Sequence, residues 1–421
     1  MMIVEKRTVH DGYKMTELGE IPVEWEVNSL GLMTEIIMGQ SPSSSSYNDQ
    51  GHGLPFYQGK TEFGSKYPRV RKWCSEPTKI AEAEDVLISV RAPVGEVNMC
   101  RETSCIGRGL GAIRAIIGKS TPWFLYYTLQ NAKTRFESLG QGSTFTAING
   151  GELRNLFIIF PPLKEQERIA EILATVDEQI ENTKKLIEET KELKKGLMQQ
   201  LLTKGIGHTH FKNTDLGAIP VGWEIHSMEA ICERIIVGIA SSTTEHYSNK
   251  ENGVPIIRNQ NIKENILNTN DLLYISYEFD NANSKKRLKV GDLLTVRTGY
   301  PGITAVVTSD FEGCQSFTTL ISTPKQEIVN SNYIAYYLNS PLGKEELKKL
   351  SAGGAQQNLN VGSLSKYRIK LPGIVEQKKI AEILSAVDDR IESYEKEKER
   401  FIELKKGLMQ KLLTGKIRVQ I

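Results

Sequence analysis

The sequence predicts an α+β protein in which two similar mixed α/β domains are each followed by a long helix. A ten-residue segment that begins at Leu18 returns 198 residues later, and segments that begin at Glu165 and Leu193 return 211 residues later. Such a repeat is too long for a solenoid, whose repeats span about 20–50 residues, so it indicates a duplicated domain. Stretches rich in Gly, Pro and β-branched residues also alternate with stretches dense in Glu, Lys and Leu.

The bulk composition is typical of a globular chain. The 421 residues are 39% hydrophobic and 25% charged, and a chain of this length predicts two to three domains. No apolar run reaches the roughly 18–20 residues that span a membrane, and the start lacks the apolar core of a signal peptide. Five cysteines without a CxxC pair indicate reduced thiols. We therefore expect a cytoplasmic protein with no membrane partner.

The net charge is close to neutral. The sequence contains 53 basic and 51 acidic residues, which gives a formal charge of +2. A small DNA-binding module is normally more basic than this. The balance disfavours a free-standing nucleic-acid binder and suits a subunit whose surface is partly covered by partners.

Four segments follow one another along the chain. Residues 1–160 and 205–372 mix short β-branched and aromatic runs with Gly, Pro and Ser, which is typical of strands joined by turns. Residues 161–204 and 373–421 are dense in Glu, Lys, Leu and Ile. We predict a globular domain, a long helix, a second globular domain, and a second long helix with a short tail.

Apolar residues in the two helical segments recur at alternating spacings of three and four. This 3.5-residue period is the pattern of helices that pair along an apolar seam. Each helix of roughly 38–40 residues would be about 57–60 Å long. Polar residues, among them Lys194 and Lys405, interrupt both seams, so the predicted coiled coil is short and imperfect. The predicted seam consists of Ile169, Leu173, Val176, Ile180, Ile187, Leu197, Leu201, Ile380, Leu384, Val387, Ile391, Phe401, Leu408 and Leu412.

A glycine lies within each predicted helix, at Gly196 and Gly407. Glycine in a helix interior costs about 1 kcal/mol relative to alanine. Two explanations remain open: another backbone approaches closely at these positions, or each helix breaks there before a short terminal turn.

Both globular segments contain a buried strand that ends in an arginine and a turn. Arg91 follows one such strand and Arg297 follows the other, with a one-residue slip in the turn after them. Arginine is the favoured reader of guanine edges, so both residues are candidates for contacts in a DNA groove. Either arginine could instead pair with a carboxylate in the core.

Each globular segment also contains a run of basic residues. A basic run beside a β-rich core suits contacts to DNA phosphates, which position a protein on the duplex. A solvated surface explains a single run equally well, but one run in each segment favours DNA. The runs consist of Lys66, Arg69, Arg71 and Lys72 in the first segment and Lys285, Lys286, Arg287 and Lys289 in the second.

No catalytic motif is complete in this sequence. Two Gly-Lys-Ser/Thr triplets lack the earlier glycine of a P-loop, and no HExxH, CxxC or G-x-S-x-G sequence occurs. The Asn/Asp-Pro-Pro-aromatic tetrapeptide of amino-methylating DNA methyltransferases is also missing. His208 and His210 have no third ligand near them and are expected to be solvated. We expect no catalysis, metal or cofactor in this chain.

Three motifs in duplicated order resemble the specificity subunit of type I restriction-modification enzymes, and the likeness covers nearly the whole chain. The second helix opens with Leu371-Pro372-Gly373-Ile374 in place of Pro-Pro-Leu, a minor departure. The motifs are Leu-Gly-x-Ile-Pro-Val-x-Trp-Glu at Leu18 and Leu216, Pro-Pro-Leu-x-Glu-Gln-x-x-Ile-Ala-x-Ile-Leu at Pro161, and Leu-Lys-Lys-Gly-Leu-Met-Gln at Leu193 and Leu404.

The resemblance implies two target-recognition domains, each reading one half of a split site in double-stranded DNA. It implies a pseudo-twofold arrangement in which the helices form an antiparallel spacer that fixes the distance between half-sites. Two methyltransferase subunits would dock on the helices and nearby surfaces, and restriction subunits would complete the nuclease. Those subunits would bind S-adenosylmethionine, ATP and magnesium.

The loop Gly353-Gly354-Ala355-Gln356-Gln357-Asn358 contains side-chain amides, among them those of Gln356 and Gln357. Such side chains suit adenine edges, although they could equally belong to an exposed turn. An alternative function from a different class also remains, a coiled-coil scaffold whose globular units bind protein. Base-pair-selective DNA binding in the presence of a methyltransferase partner would distinguish the two functions.

Overall fold

The structure is a computed structural model of the chain, and it describes residues 9–140, 147–351 and 358–421. The chain divides into two compact units. The first consists of Met1–Lys184 and Lys396–Ile421, and the second of Lys185–Glu395. Each unit therefore combines one globular segment with one part of each long helix. The prediction of an α+β chain with a duplicated domain and two long helices is confirmed.

The globular part of the first unit is built from short strands and helices. Its strands are β1 (Tyr13–Thr16), β2 (Gly19–Pro22), β3 (Glu26–Ser29), β4 (Thr34–Met38), β5 (Tyr47–Asn48), β6 (Leu54–Tyr57), β7 (Trp73–Cys74), β8 (Ile80–Ala81), β9 (Val86–Ser89), β10 (Val97–Met99), β11 (Ser104–Ile106), β12 (Leu110–Ala115) and β13 (Phe157–Phe160). Its helices are α1 (Leu30–Met33), α2 (Pro122–Asn131), α3 (Lys133–Gly140) and α4 (Gly150–Arg154).

The strands of the first unit form two larger sheets and two pairs. The antiparallel sheet has the order β10-β9-β12-β4, and the mixed sheet has the order β5-β7-β6-β11-β8, with β6 and β11 parallel. β1 pairs with β2, and β3 pairs with β13. Helix α2 lies in the core, where six consecutive residues, from Phe124 to Leu129, are buried. This frame brings the ends of β6, β9 and β11 to one side of the unit.

The second unit repeats this plan. Helix α5 (Leu163–Lys204) links the two globular parts, and α11 (Ile374–Leu412) follows the second. The strands are β14 (Phe211–Thr214), β15 (Gly217–Pro220), β16 (Glu224–Ser227), β17 (Cys232–Val237), β18 (Tyr247–Ser248), β19 (Gly253–Ile257), β20 (Ile262–Lys263), β21 (Ile266–Leu267), β22 (Leu273–Ser276), β23 (Leu293–Thr295), β24 (Thr304–Val306), β25 (Gln315–Ser316), β26 (Leu320–Pro324) and β27 (Arg368–Leu371). The helices are α6 (Met228–Ile231), α7 (Tyr277–Ala282), α8 (Ser331–Asn339), α9 (Pro341–Ser351) and α10 (Val361–Ser365).

The sheets of the second unit follow the same strand order and directions as those of the first, except that β8 has no counterpart. The sheet β17-β26-β23-β24 corresponds to β4-β12-β9-β10, and the parallel pair β19 and β25 corresponds to β6 and β11. The second unit adds the hairpin of β20 and β21 and the helix α7. The two units therefore share a frame and differ in the loops inserted into it.

The long helices run antiparallel and pack on each other within both units. In the first unit the start of α5 packs in one core with the end of α11, and in the second unit the end of α5 packs with the start of α11. Ten of the predicted seam residues are buried, and Leu197, Val387, Phe401 and Leu408 are half-buried. Both helices continue through Gly196 and Gly407 without a break.

The lysines that interrupt the seam form ion pairs between the helices. In the first unit Lys405 Nζ lies 2.7 Å from Asp177 Oδ1, and Tyr127 donates a hydrogen bond to the other oxygen of that carboxylate. In the second unit Lys194 and Asp388 form the corresponding pair, at 2.5 Å. Tyr336 donates to Asp388 as Tyr127 does to Asp177. A charge pair in each unit specifies the antiparallel register that the sequence pattern alone does not fix.

The repeated Trp and Glu-Gln motifs fasten each globular part to its helix. Trp25 Nε1 donates to Glu165 Oε2 at 3.2 Å, and Trp223 Nε1 donates to Glu376 Oε2 at 3.0 Å. The glutamine after each glutamate accepts a hydrogen bond from the backbone at the start of α2 or α8. These motifs recur because both units need the same joint between globular part and helix.

Candidate nucleic-acid interface

Three strand ends of the first unit meet at one cleft. The residues that follow β6, β9 and β11 line a space of about 470 Å³. These residues are Gln58, Gly59, Lys60, Thr61, Arg91, Ala92, Pro93, Arg108 and Gly109.

The backbone explains why these three loops lie together. Gly107 N donates to Tyr57 O at 2.8 Å, and Val90 N donates to Gly109 O at 2.9 Å. A Cβ atom at Gly109 would lie 2.4 Å from Gln58 O, so the close approach of the two loops requires glycine there. Arg91 is further held in an isolated antiparallel bridge with Ala147.

The cleft carries positive charge that the described part of the chain does not neutralise. Lys60 Nζ is paired with Glu96 Oε1 at 2.8 Å. Arg91 and Arg108 are exposed, and neither guanidinium forms an ion pair or hydrogen bond with a residue that the structure describes. The buried carboxylate that precedes the same strand, Asp85, pairs with Arg114 at 2.9 Å. Two free guanidinium groups at one cleft can contact phosphates or guanine edges.

The corresponding strand ends of the second unit form a polar cluster. Phe317 N donates to Ile257 O at 2.8 Å, as Gly107 does to Tyr57 in the first unit. Asn259 Nδ2 donates to Thr298 Oγ1 at 3.0 Å. Thr298 in turn forms an isolated bridge with Asn358, which confirms the one-residue slip relative to Arg91.

Several buried polar atoms in this cluster have no hydrogen-bond partner in the described part of the chain. They are Nε of Arg258, Oδ1 of Asn259, Nε of Arg297 and Oδ1 of Asn358. Roughly 90% or more of buried polar groups in proteins are bonded, and each unbonded one costs about 1–3 kcal/mol. The unbonded atoms include both donors and acceptors. A small rearrangement of these side chains would let them bond a partner that offers both, as base edges do.

The predicted basic run of the first unit lies outside the lining of the cleft. Lys66 Nζ lies 4.1 Å from the centroid of the Trp123 ring, and Lys66 lines a groove beside α5. Arg69, Arg71 and Lys72 are exposed. Their assignment to phosphate contacts stays a prediction.

The basic run of the second unit is divided between structural and exposed side chains. Arg287 hydrogen-bonds the buried carboxylate of Asp280, which raises the pKa of the arginine. Lys286 Nζ donates to Gly238 O at 3.1 Å. Lys285 and Lys289 are exposed, so these two cations remain the candidates for phosphate contacts.

The structure places Arg91 and Arg297 at the corresponding strand ends but one position apart. Thr298 is the counterpart of Arg91 in the isolated bridges, and Arg297 accepts a backbone hydrogen bond as Val90 does. The predicted Gln356 and Gln357 lie outside the described residues. Sequence reasoning missed several polar residues that follow strand ends, although the dipeptides Arg258-Asn259 and Gly107-Arg108 directly after apolar runs could have indicated them. The missed residues are Gln58, Lys60, Thr61, Arg108, Arg258 and Asn259.

Among residues 9–140, 147–351 and 358–421, no group of three or more His, Cys, Asp and Glu side chains is arranged to hold a metal ion. No helix among the same residues is long and apolar enough to cross a membrane. The five cysteines are buried free thiols.

Comparison with known families decides what the duplicated frame is. The family described as "Type I restriction modification DNA specificity domain" matches this chain twice, over residues 22–192 and over residues 220–403. The chain belongs to this family. The two matches fall on the two repeats, so this type I specificity subunit contains two DNA-specificity domains.

Named relatives are similar over one half or over the full length. The putative MjaX specificity subunit of Methanocaldococcus jannaschii is 46% identical over 196 residues, which is 46% of each chain. The MjaVIII specificity subunit of the same organism is 27% identical over 432 residues, covering 100% of this chain and 99% of the relative. The EcoBI specificity subunit of Escherichia coli is 21% identical over 408 residues, with 94% and 86% covered.

Solved structures share the fold. The S subunit from M. genitalium has a TM-score of 0.59 at 16% identity, covering 94% of this chain and 96% of that one. A chain from a study of type I complex assembly has a TM-score of 0.60 at 19% identity, with 94% and 99% covered.

Proposed function

We propose that this specificity subunit is non-catalytic and selects the DNA sequence for a type I restriction-modification complex, with each unit reading one half of a bipartite site. The observation that supports this most strongly is the pair of equivalent strand-end surfaces. The backbone frame is the same in both units, whereas the side chains it presents differ. A shared frame with different polar side chains suits two different half-sites.

The side chains suggest how each half-site is read. Arg91 and Arg108 can each donate two hydrogen bonds to O6 and N7 of guanine, and an amide such as Asn259 can pair with N6 and N7 of adenine. The exposed cations of the basic runs would contact phosphates and set the register on the duplex. These phosphate contacts are assigned to Arg69, Arg71, Lys72, Lys285 and Lys289.

The helices would set the gap between half-sites and dock two methyltransferase subunits. Restriction subunits would complete the nuclease. In this proposal S-adenosylmethionine, ATP and magnesium are bound by those partner subunits. The same helix contacts recur in each unit, which suits one methyltransferase for each.

Mapping of methylated adenine across a genome tests the proposal. Cells that contain the methyltransferase with this chain are compared with cells that contain the methyltransferase alone. We expect a new motif of two short, unlike half-sites around a fixed gap of unspecified bases. A soluble complex that adds no motif would contradict the proposal and favour the protein-binding scaffold.

A further inference from the structure

An exposed tyrosine lies in the loop that follows β23 in the second unit. This loop consists of residues 297–301, and its Tyr300 is 79% exposed, more than any other aromatic side chain in the described part of the chain. Its ring and its hydroxyl have no ring contact or hydrogen bond with a described residue. Aromatic rings stabilise a fold by being buried, so this ring adds nothing to the core of the second unit.

The base of the loop is fixed by backbone hydrogen bonds and by packing. Val296 N donates to Ile303 O at 2.8 Å, and Gly302 N donates to Val296 O at 2.9 Å. Gly302 has a φ of +99°, and a Cβ atom there would lie 2.9 Å from Cδ1 of Leu347 in α9. This close contact requires glycine. The loop is therefore held at its base, while the ring of Tyr300 is open to solvent.

The first unit contains the corresponding loop with a different residue at the same position. Its closing hydrogen bond runs from Gly95 N to Ser89 O at 2.9 Å, so residues 90–94 correspond to the loop of the second unit. Pro93 occupies the position of Tyr300, and it lines the cleft of the first unit. By this correspondence Tyr300 belongs to the strand-end surface that the second unit would present to DNA.

Polar groups that suit base edges flank the tyrosine. Thr298 accepts a hydrogen bond from Asn259 Nδ2 at 3.0 Å, and the buried Nε of Arg297 has no hydrogen-bond partner in the described residues. These groups favour DNA over an apolar protein pocket, because the cores of protein interfaces are depleted of charged side chains. On DNA, exposed rings stack on bases, and wedges of this kind separate neighbouring base pairs.

We propose that the ring of Tyr300 inserts between two base pairs of the half-site that the second unit reads, and stacks on a base there. The first unit would not open its half-site in this way, because Pro93 has no aromatic face. The choice of DNA as the occupant rests on the proposed function. Stacking on one base would contribute about 5–150-fold to affinity.

DNA binding by the complex with the cognate methyltransferase subunit tests the role of the ring. On a duplex that contains the methylated motif, Tyr300→Ala should weaken binding about 5–150-fold, and Tyr300→Phe should bind like the unchanged chain. Tyr277→Ala is the matched control because Tyr277 is 55% exposed in the same unit, at the start of α7. This control should not change the affinity. If Tyr300→Phe binds as weakly as Tyr300→Ala, the hydroxyl makes the contact and the insertion is wrong.

A fluorescent base locates the opened step. 2-Aminopurine, which becomes brighter when it is unstacked, replaces each base of the motif in turn except the methylated adenines, because enzymes that modify a base extrude it. We expect a rise beside one step in the half-site that Arg297→Ala alters, and none in the other half-site. The rise should disappear in Tyr300→Ala and persist in Tyr300→Phe.

Failure of this inference is distinguishable from failure of the proposed function. A methylated motif with no fluorescence rise that depends on Tyr300 would overturn the insertion and leave the proposed function intact. Equal loss of affinity in Tyr300→Ala and Tyr277→Ala would also contradict a specific role of the loop. If the unchanged complex produces no methylated motif, the proposed function itself fails, and the insertion fails with it.

Discussion

Arg418 should hold the C-terminal tail and the start of α5 together in the first unit. Its Nε and Nη2 atoms donate to the two carboxylate oxygens of Glu165 at 2.9 and 2.6 Å. Glu165 is buried, and its other hydrogen bond comes from Trp25. Substitution of Arg418 by methionine would leave a buried carboxylate with one neutral donor.

The magnitude follows from burial. Removal of one partner of a buried ion pair costs about 3–5 kcal/mol. Arg418 is 39% exposed while Glu165 is 1% exposed, so solvent screens part of the interaction. We therefore expect a cost of about 2–3 kcal/mol, which corresponds to a roughly 30–150-fold change in a local opening equilibrium.

Hydrogen–deuterium exchange measures this opening directly. Amides near Trp25 and at the start of α5 should exchange about 30–150-fold faster in Arg418→Met. Those around Trp223, where His208 takes the place of the arginine, should not change. Adding Glu165→Gln to Arg418→Met should recover most of the protection, because no uncompensated charge is left. Unchanged exchange near Trp25 in Arg418→Met would refute the reasoning.

Three further predictions concern charge, thiols and helix length. Arg287→Gln should destabilise the second unit because the buried carboxylate of Asp280 loses its guanidinium partner and keeps a neutral donor, Gln315. Lys289→Gln should leave stability unchanged and lower the salt dependence of DNA binding by about one ion. Urea unfolding and binding titrations at several salt concentrations measure the two effects, and equal effects of both variants would contradict the assignment. Burial raises the pKa of Cys100 to about 11 and that of Cys232 to about 12, so these thiols should resist alkylation in the native protein at pH 8. The stability of the fold should fall as the pH rises above about 9, because thiols then ionise in the unfolded chain but not in the folded one. Rapid alkylation of the native protein at pH 8 would contradict this prediction. Matched four-residue insertions after Thr190 and Glu395 add about 6 Å to each helix. They should lengthen the gap between the two half-sites of the methylated motif by about two base pairs. An unchanged gap would contradict the spacer role.

The sequence predicts the helices better than the strand-end surfaces. The seam from Ile169 to Leu201 repeats at a local period, so the pattern is visible without knowledge of the fold. The pairs of Lys405 with Asp177 and of Lys194 with Asp388 join residues distant in sequence, and the lysines therefore look like mere interruptions of the seam. Their ion pairs emerge only when the antiparallel register is known.

The cleft depends in the same way on contacts that a linear pattern does not contain. Arg91 is predictable because it ends an apolar strand, whereas Arg108 joins it only because β11 lies parallel to β6. The basic run around Arg287 shows the opposite failure. Composition suggests free cations, but Asp280 lies buried beside Arg287 through the fold of the added helix α7. The number of basic residues in a run does not distinguish a cation paired with a buried carboxylate from an exposed cation that could contact a phosphate.

The most direct test of the central claim is the methylated motif made by each of two single variants, Arg91→Ala and Arg297→Ala, in complex with the methyltransferase. If each unit reads one half-site, Arg91→Ala should relax or lose specificity in one half only, and Arg297→Ala should do so in the other. The gap should stay the same in both. Changes in the same half for both variants, or a motif that neither variant alters, would contradict the account.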